Sequence, residues 1–260
     1  MSPTPSFPAL GRLRQGLGHT ELRVLAALLA LPGIMLLFLW LTGEVKEGDT
    51  NIFDKTVLLA FRRAGDLARP IGPRWLQEAA RDVTALGGFT VLTLITLLAA
   101  TLLVTHRRRT QARVFVCAVI LGQVLSAVVK LLVSRPRPDI VPHLDLVYAS
   151  SFPSGHSAMS PVVYLTLAGI VAAGEMDRAS KLLLLTLAPV LVAAIGVSRI
   201  YLGVHWPTDV LAGWSMGTAV ALLATLILHW LAPHHRTRGA VAPDEPPPEA
   251  ATASAEQVVQ

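Results

Sequence analysis

The run SRIYLGVHWPTDVLAGWSMGTAVALLATLILHWL, Ser198 to Leu231, passes without a break from a polar segment into apolar sequence. A helix crosses about 30 Å of hydrocarbon with roughly 17 to 25 apolar residues, and Val210 to Leu231 has that length. Working outward, five further runs qualify: Val24 to Leu41, Leu86 to Val104, Val114 to Val133, Ser157 to Ala173 and Leu182 to Val197. The 260-residue chain is 53% hydrophobic and only 15% charged, with a mean hydropathy of +0.56. Such a composition excludes an ordinary soluble domain of this length. The expected fold is all-α, a polytopic membrane helical bundle of six transmembrane helices. The fourth and fifth runs contain Pro161 and Pro189, which on hydropathy alone leaves kinked or re-entrant segments open. Spanning helices tolerate proline because neighbours satisfy the freed backbone groups, so six spans are expected.

Charge sets the topology. The connector HRRRTQAR carries Arg107, Arg108, Arg109 and Arg113 and no acid, which places it in the cytoplasm. Basic residues in an N-terminal arm, 1–23, and after the last span put both termini on the same side. The six-span domain is then 24–232, with an outer segment at 44–82 that balances bases against acids and reads as short amphipathic helices in the interface. The tail, 233–260, has a disordered composition. The isoelectric point of about 9.9 does not imply a nucleic-acid partner, because the bases cluster at helix ends without interleaved aromatics. Cys117 is the single cysteine, so no intramolecular disulfide forms. The expected location is the cell (inner) membrane, with the bilayer as partner; the sequence does not specify an oligomeric state.

Three polar segments, KLLVSRPRP (Lys130–Pro138), PSGH (Pro153–His156) and SRIYLGVHWPTD (Ser198–Asp209), then fall on the extracytoplasmic face. Lys130 sits about one turn from a helix end, where a lysine can also simply snorkel to the headgroups. Arg135 and Arg137 precede prolines and are pushed into extended backbone; guanidinium forks suit phosphate oxygens, although arginines here also bind lipid headgroups. Ser154 reads as a helix N-cap with Gly155 and His156 in the first turn, where free amides favour an anion. The plainer alternative is a simple cap beside an interfacial histidine. Pro207 suits the first helical position, which leaves His205 just outside the helix and Asp209 in its first turn. That carboxylate can fix one imidazole tautomer and free the other nitrogen as nucleophile. His-x3-Asp is equally half of a metal site, but a ligand cluster to complete it is missing, and no metal or cofactor is expected.

In combination the three segments resemble the signatures K-x6-R-P, P-S-G-H and S-R-x5-H-x3-D of the type 2 phosphatidic acid phosphatase superfamily, matched at Lys130, Arg137, Pro138, Pro153 to His156, Ser198, Arg199, His205 and Asp209. The resemblance implies a metal-independent lipid phosphatase working through a phosphohistidine. His205 would be the nucleophile, Asp209 its orienting partner and His156 the acid and base. Lys130, Arg137, Arg199, Ser154 and Gly155 would hold the phosphate oxygens. Arg135 lies outside the defining spacing. Phosphatidic acid, phosphatidylglycerol phosphate, undecaprenyl diphosphate and lipid A all remain open as the lipid phosphate substrate. A reading from another class is an anion transporter or channel that binds phosphate without hydrolysing it, against which stands the gathering of cations at one face.

Overall fold

The computed structural model describes residues 19–231 apart from 148; residues 1–18 of the expected arm and the tail 233–260 lie outside the described residues. Helix α1 (His19–Glu47) leads into an outer segment made of α2 (Asn51–Ala60), strands β1 (Arg62–Arg63) and β2 (Asp66–Pro70), and α3 (Arg74–Ala85). Then come α4 (Phe89–Thr105), α5 (Arg109–Val133), α6 (Gly155–Ala172), α7 (Arg178–Tyr201) and α8 (Pro207–Leu231). Five of these helices, α1, α5, α6, α7 and α8, are long and apolar enough to cross a membrane. A sixth span arises if α3 and α4, which meet at a 45° bend, count as one.

The expected six runs thus recur as helices, with two local differences. The outer segment is not purely helical: a two-stranded antiparallel ribbon pairs Arg62 with Pro70 and Arg63 with Asp66. Gly65, at φ +85°, reverses the chain there, a conformation that glycine alone adopts without steric cost. Arg62 then turns inward and donates to the Tyr201 carbonyl at 2.9 Å, so tertiary contacts draw this stretch out of the helical pattern. The Pro161 span stays continuous, but Pro161–Leu165 is wound as a π-turn. A proline has no N–H for the usual i−4 bond, and a π-bulge absorbs that loss.

Helix α8 is the centre of the bundle, packed against α1, α5, α6 and α7. Within lipid the hydrophobic effect does not drive helices together, so association depends on close packing of small residues. Ala212, Ala219, Ala221 and Ala224 are buried along α8, whereas Leu36, Leu94, Leu131 and Leu183 remain exposed on the outside of the bundle. The closest approach is between α8 and α6. A Cβ on Gly217 would overlap the Ala158 carbonyl, and one on Gly213 would stand 2.9 Å from the Ser154 carbonyl. This contact lays the start of α6, with PSGH, against the start of α8, with His205 and Asp209.

Replacing Gly217 by Val is expected to force the two helices apart at a cost of about 1 to 3 kcal/mol, the usual range for overpacking. Thermal unfolding in detergent should register the loss, and any activity that depends on these two helix starts should fall with it. A Gly217→Val protein with unchanged stability and activity would show that this approach does not position the site.

Candidate active site

Before the N-terminal end of α8 the chain makes a tight turn at Leu202–Val204, with Gly203 at φ +75°, and delivers His205 two residues ahead of Pro207. Asp209 lies one helical turn further and is fully buried. Its carboxylate is held from four sides. Arg135 donates to Oδ1 at 2.7 Å, the Trp206 amide to Oδ2 at 2.9 Å, and the Ser151 hydroxyl also to Oδ2. His205 Nδ1 lies 3.4 Å from the same oxygen. With Nδ1 protonated toward Asp209, Nε2 carries the lone pair, and Arg137 approaches it at 3.2 Å.

His205 is 2% exposed. Burial pushes its imidazole down to about 4; the hydrogen bond and charge of Asp209 oppose this, and Arg199 and Arg137 add to it. The ring is therefore neutral at physiological pH, the state a nitrogen nucleophile requires. Arg137 is itself lowered to about 10 by burial and by Arg199, which leaves it charged. It is anchored to the Ala149 carbonyl at 2.8 Å and the Val204 carbonyl at 2.6 Å.

The other anticipated residues gather around this pair. Ser154 caps α6, accepting from the Ser157 amide at 3.5 Å and the Ser157 hydroxyl at 3.0 Å, while its own amide donates to the Asp209 carbonyl at 3.0 Å. That bond joins the second motif to the third through backbone alone. His156 packs on the Gly87–Gly88 bend, and it lines, with Lys130 and Gly155, a groove of about 550 Å³ that runs down between α4 and α5. Lys130 does not snorkel outward: its Nζ donates to the Ser150 and Pro153 carbonyls at 2.8 and 2.7 Å. Arg199, 2% exposed, bonds Asp145 at 2.5 Å and the Thr84 hydroxyl at 3.2 Å. Among the described residues no group of three or more His, Cys, Asp or Glu side chains is placed to hold a metal ion.

Several members of the network escape a reading of the sequence. Arg135, set aside there for its spacing, joins two buried carboxylates, Asp209 and Asp54, the latter at 2.6 Å, and its guanidinium lies 5.5 Å from the centre of the Trp206 ring. Asp54, from α2, also accepts from the Thr208 amide at 2.9 Å and the Thr208 hydroxyl at 2.7 Å. The outer segment is thereby tied to the first turn of α8. Ser151 and Asp145 complete the set. The doubled arginine of SRPRP was the only signal available for any of them.

The profile of the PAP2 superfamily matches residues 111–233. Phosphatidylglycerophosphatase B of Bacillus subtilis is 32% identical over 193 residues, covering 73% of this chain and 90% of that protein. Decaprenylphosphoryl-5-phosphoribose phosphatase of Mycobacterium tuberculosis is 33% identical over 120 residues, 45% of this chain and 61% of that protein. Among solved structures, a transmembrane PAP2-type phosphatidylglycerolphosphate phosphatase from Bacillus subtilis superposes with a TM-score of 0.71 at 26% identity, covering 78% of this chain and 98% of that one.

Two predictions follow from the network. Arg135→Ala strands Asp54 and Asp209 as buried charges, a change that typically costs about 3 to 5 kcal/mol; thermal unfolding should show it, and adding Asp54→Asn should recover part of the loss. If Arg135→Ala is as stable as the parent, the ion pairs carry no weight. For His205, NMR of the imidazole in detergent should find it neutral through the range near 6.5 where a solvated histidine titrates, with protonation only toward about 4. Titration near the ordinary value would contradict the buried placement.

Proposed function

This chain belongs to the PAP2 superfamily and is a membrane lipid phosphatase, and from that premise we propose that it works through a phosphohistidine on His205 at the extracytoplasmic face. The observation that carries the proposal is the buried Asp209–His205 pair, which leaves Nε2 neutral and unprotonated beside Arg137. In the first step Nε2 attacks phosphorus as the bond to the lipid oxygen breaks, and His156, protonated when the bound phosphate dianion stands beside it, donates that proton to the oxygen. In the second step water attacks the phosphohistidine, His156 takes the water's proton, and the P–N bond breaks to release inorganic phosphate.

Phosphoryl transfer requires mainly in-line positioning and charge stabilisation. Arg137, Arg199, Lys130 and the Gly155 amide at the start of α6 supply both, so no metal is needed. The groove between α4 and α5 opens from Lys130 and His156 toward Leu97 and Ile120 and gives an acyl or prenyl chain a path in the bilayer while its phosphate sits at the helix ends. Phosphatidylglycerol phosphate, the lipid in the name of the Bacillus subtilis relative matched over 90% of its length, is the first lipid to assay.

His205→Ala should lower turnover by roughly 10³-fold or more, as loss of a covalent group commonly does. His156→Ala should differ with an aryl phosphate, whose leaving group needs no proton. A burst of phenol and acid-labile phosphate on the protein are expected, followed by a stall for lack of a base. Phosphoenzyme in the His205 variant instead would reverse the assignment. For the face, cysteines at Leu146, 80% exposed, and at Thr110 can be compared in a Cys117→Ser background. An impermeant thiol reagent should label position 146 but not 110 in intact cells, and the reverse would place the site in the cytoplasm.

A further inference from the structure

Arg199, assigned above to the phosphate, is already occupied by a carboxylate. Its Nη1 donates to Asp145 Oδ2 at 2.5 Å, with Arg199 2% and Asp145 33% exposed, so Asp145 covers the guanidinium from the open side. The segment bearing it is pinned in place. The Leu144 amide donates to the Leu202 carbonyl at 3.0 Å, Arg81 Nε donates to the Leu144 carbonyl at 3.1 Å, and Leu144 and Val147 pack on Tyr201, Leu202 and Val204. Arg199 Nε, meanwhile, is buried with no hydrogen-bond partner. A carboxylate engages this arginine through one nitrogen, and a second donor stays free for a ligand with more oxygens.

We propose that Asp145 is an internal competitor of phosphate: it holds the anion position on Arg199 in the resting enzyme and must be displaced before a phosphoryl group can take that guanidinium. The reading rests on the function proposed above. Two further observations support it. Asp145 is charged at neutral pH, because burial, which would raise its carboxyl, is outweighed by the Arg199 hydrogen bond and charge, the Leu146 amide and the nearby His156. The other carboxylate of the site, Asp209, cannot play this part, since its oxygens are engaged by Arg135, Ser151, Trp206 and His205.

Displacement is a cost that every anion meets equally, whereas attraction to Lys130, Arg137 and the helix amides grows with the charge of the ligand. A phosphomonoester carries about −1.5 to −2 at neutral pH, and a phosphodiester headgroup carries one charge. The abundant diesters of a membrane surface are thereby kept off the site. Product phosphate is also released more readily, because Asp145 returns to Arg199 as it leaves. Asp145 is thus a specificity-determining residue that acts through Arg199 and takes no part in bond making.

The test is inhibition by inorganic phosphate of aryl phosphate hydrolysis, measured on the full chain in detergent. Asp145→Asn retains an oxygen that can accept from Arg199 and removes only the charge. Replacing a charge-assisted bond by a neutral one should lower the Ki for phosphate by about 10-fold or more, lower KM, and leave kcat no higher. Phosphatidylglycerol in the micelles should inhibit the parent weakly and the variant clearly. Asp145→Glu, which restores the charge, should return both values toward the parent. Should the Asn variant prove unstable on thermal unfolding, Asp145→Ser provides a second neutral acceptor for the same comparison. An unchanged or raised Ki in the neutral variants, or a Glu variant indistinguishable from Asn, overturns the proposal. Absence of aryl phosphate hydrolysis by the parent protein would instead sink the proposed function itself.

Discussion

Everything at the end of the bundle where α8 begins is organised around one buried carboxylate. Asp209 has no exposed surface and cannot stay ionised there without compensation, since the desolvation of an isolated charge costs several kcal/mol. Compensation comes from the Arg135 guanidinium, the Ser151 hydroxyl, the Trp206 amide and the His205 ring. The start of α8 adds its dipole, whose positive end favours an anion. Arg135 and Ser151 arrive from parts of the chain 74 and 58 positions away, so satisfying the carboxylate also fixes where those parts sit. Arg135 carries the linkage outward to Asp54, and the outer segment becomes part of the site's support.

The membrane explains why polar contacts do this work. Between spanning helices, lipid tails compete with side chains on nearly equal terms, and small residues bring helices close without specifying one arrangement. Ala158 against Gly217 brings α6 to α8; the bond from the Ser154 amide to the Asp209 carbonyl fixes the register at the end that matters. Lys130 belongs to the same scheme, since its ammonium is engaged by the Ser150 and Pro153 carbonyls. That cation braces the loop beside the groove it lines with Gly155 and His156.

Much of this was legible in the amino-acid order because the chemistry there is local. Pro207 fixes the start of α8, four-residue spacing brings Asp209 back to His205, and Ser154 before Gly155 announces a capped helix. The six apolar runs survive as helices because nothing else buries their backbone groups in lipid. The rest was hidden because it depends on contacts across the chain. Asp54 meets Thr208 over 154 positions and Arg135 over 81, and no spacing rule reaches that far. Asp145 lies in a segment with neither helical nor strand periodicity. The β1–β2 ribbon looked amphipathic, but the burial of Arg62 against Tyr201 decided its conformation.

The central claim is that Asp209 fixes His205 with Nε2 as the attacking atom. A crystal structure of the protein with vanadate, which adopts the five-coordinate geometry of phosphoryl transfer, tests it most directly. The account predicts vanadium bonded to Nε2 of His205, Nδ1 still facing Asp209, and equatorial oxygens on Arg137 and Arg199. Vanadium bonded to His156, or a His205 ring turned away from Asp209, would contradict it.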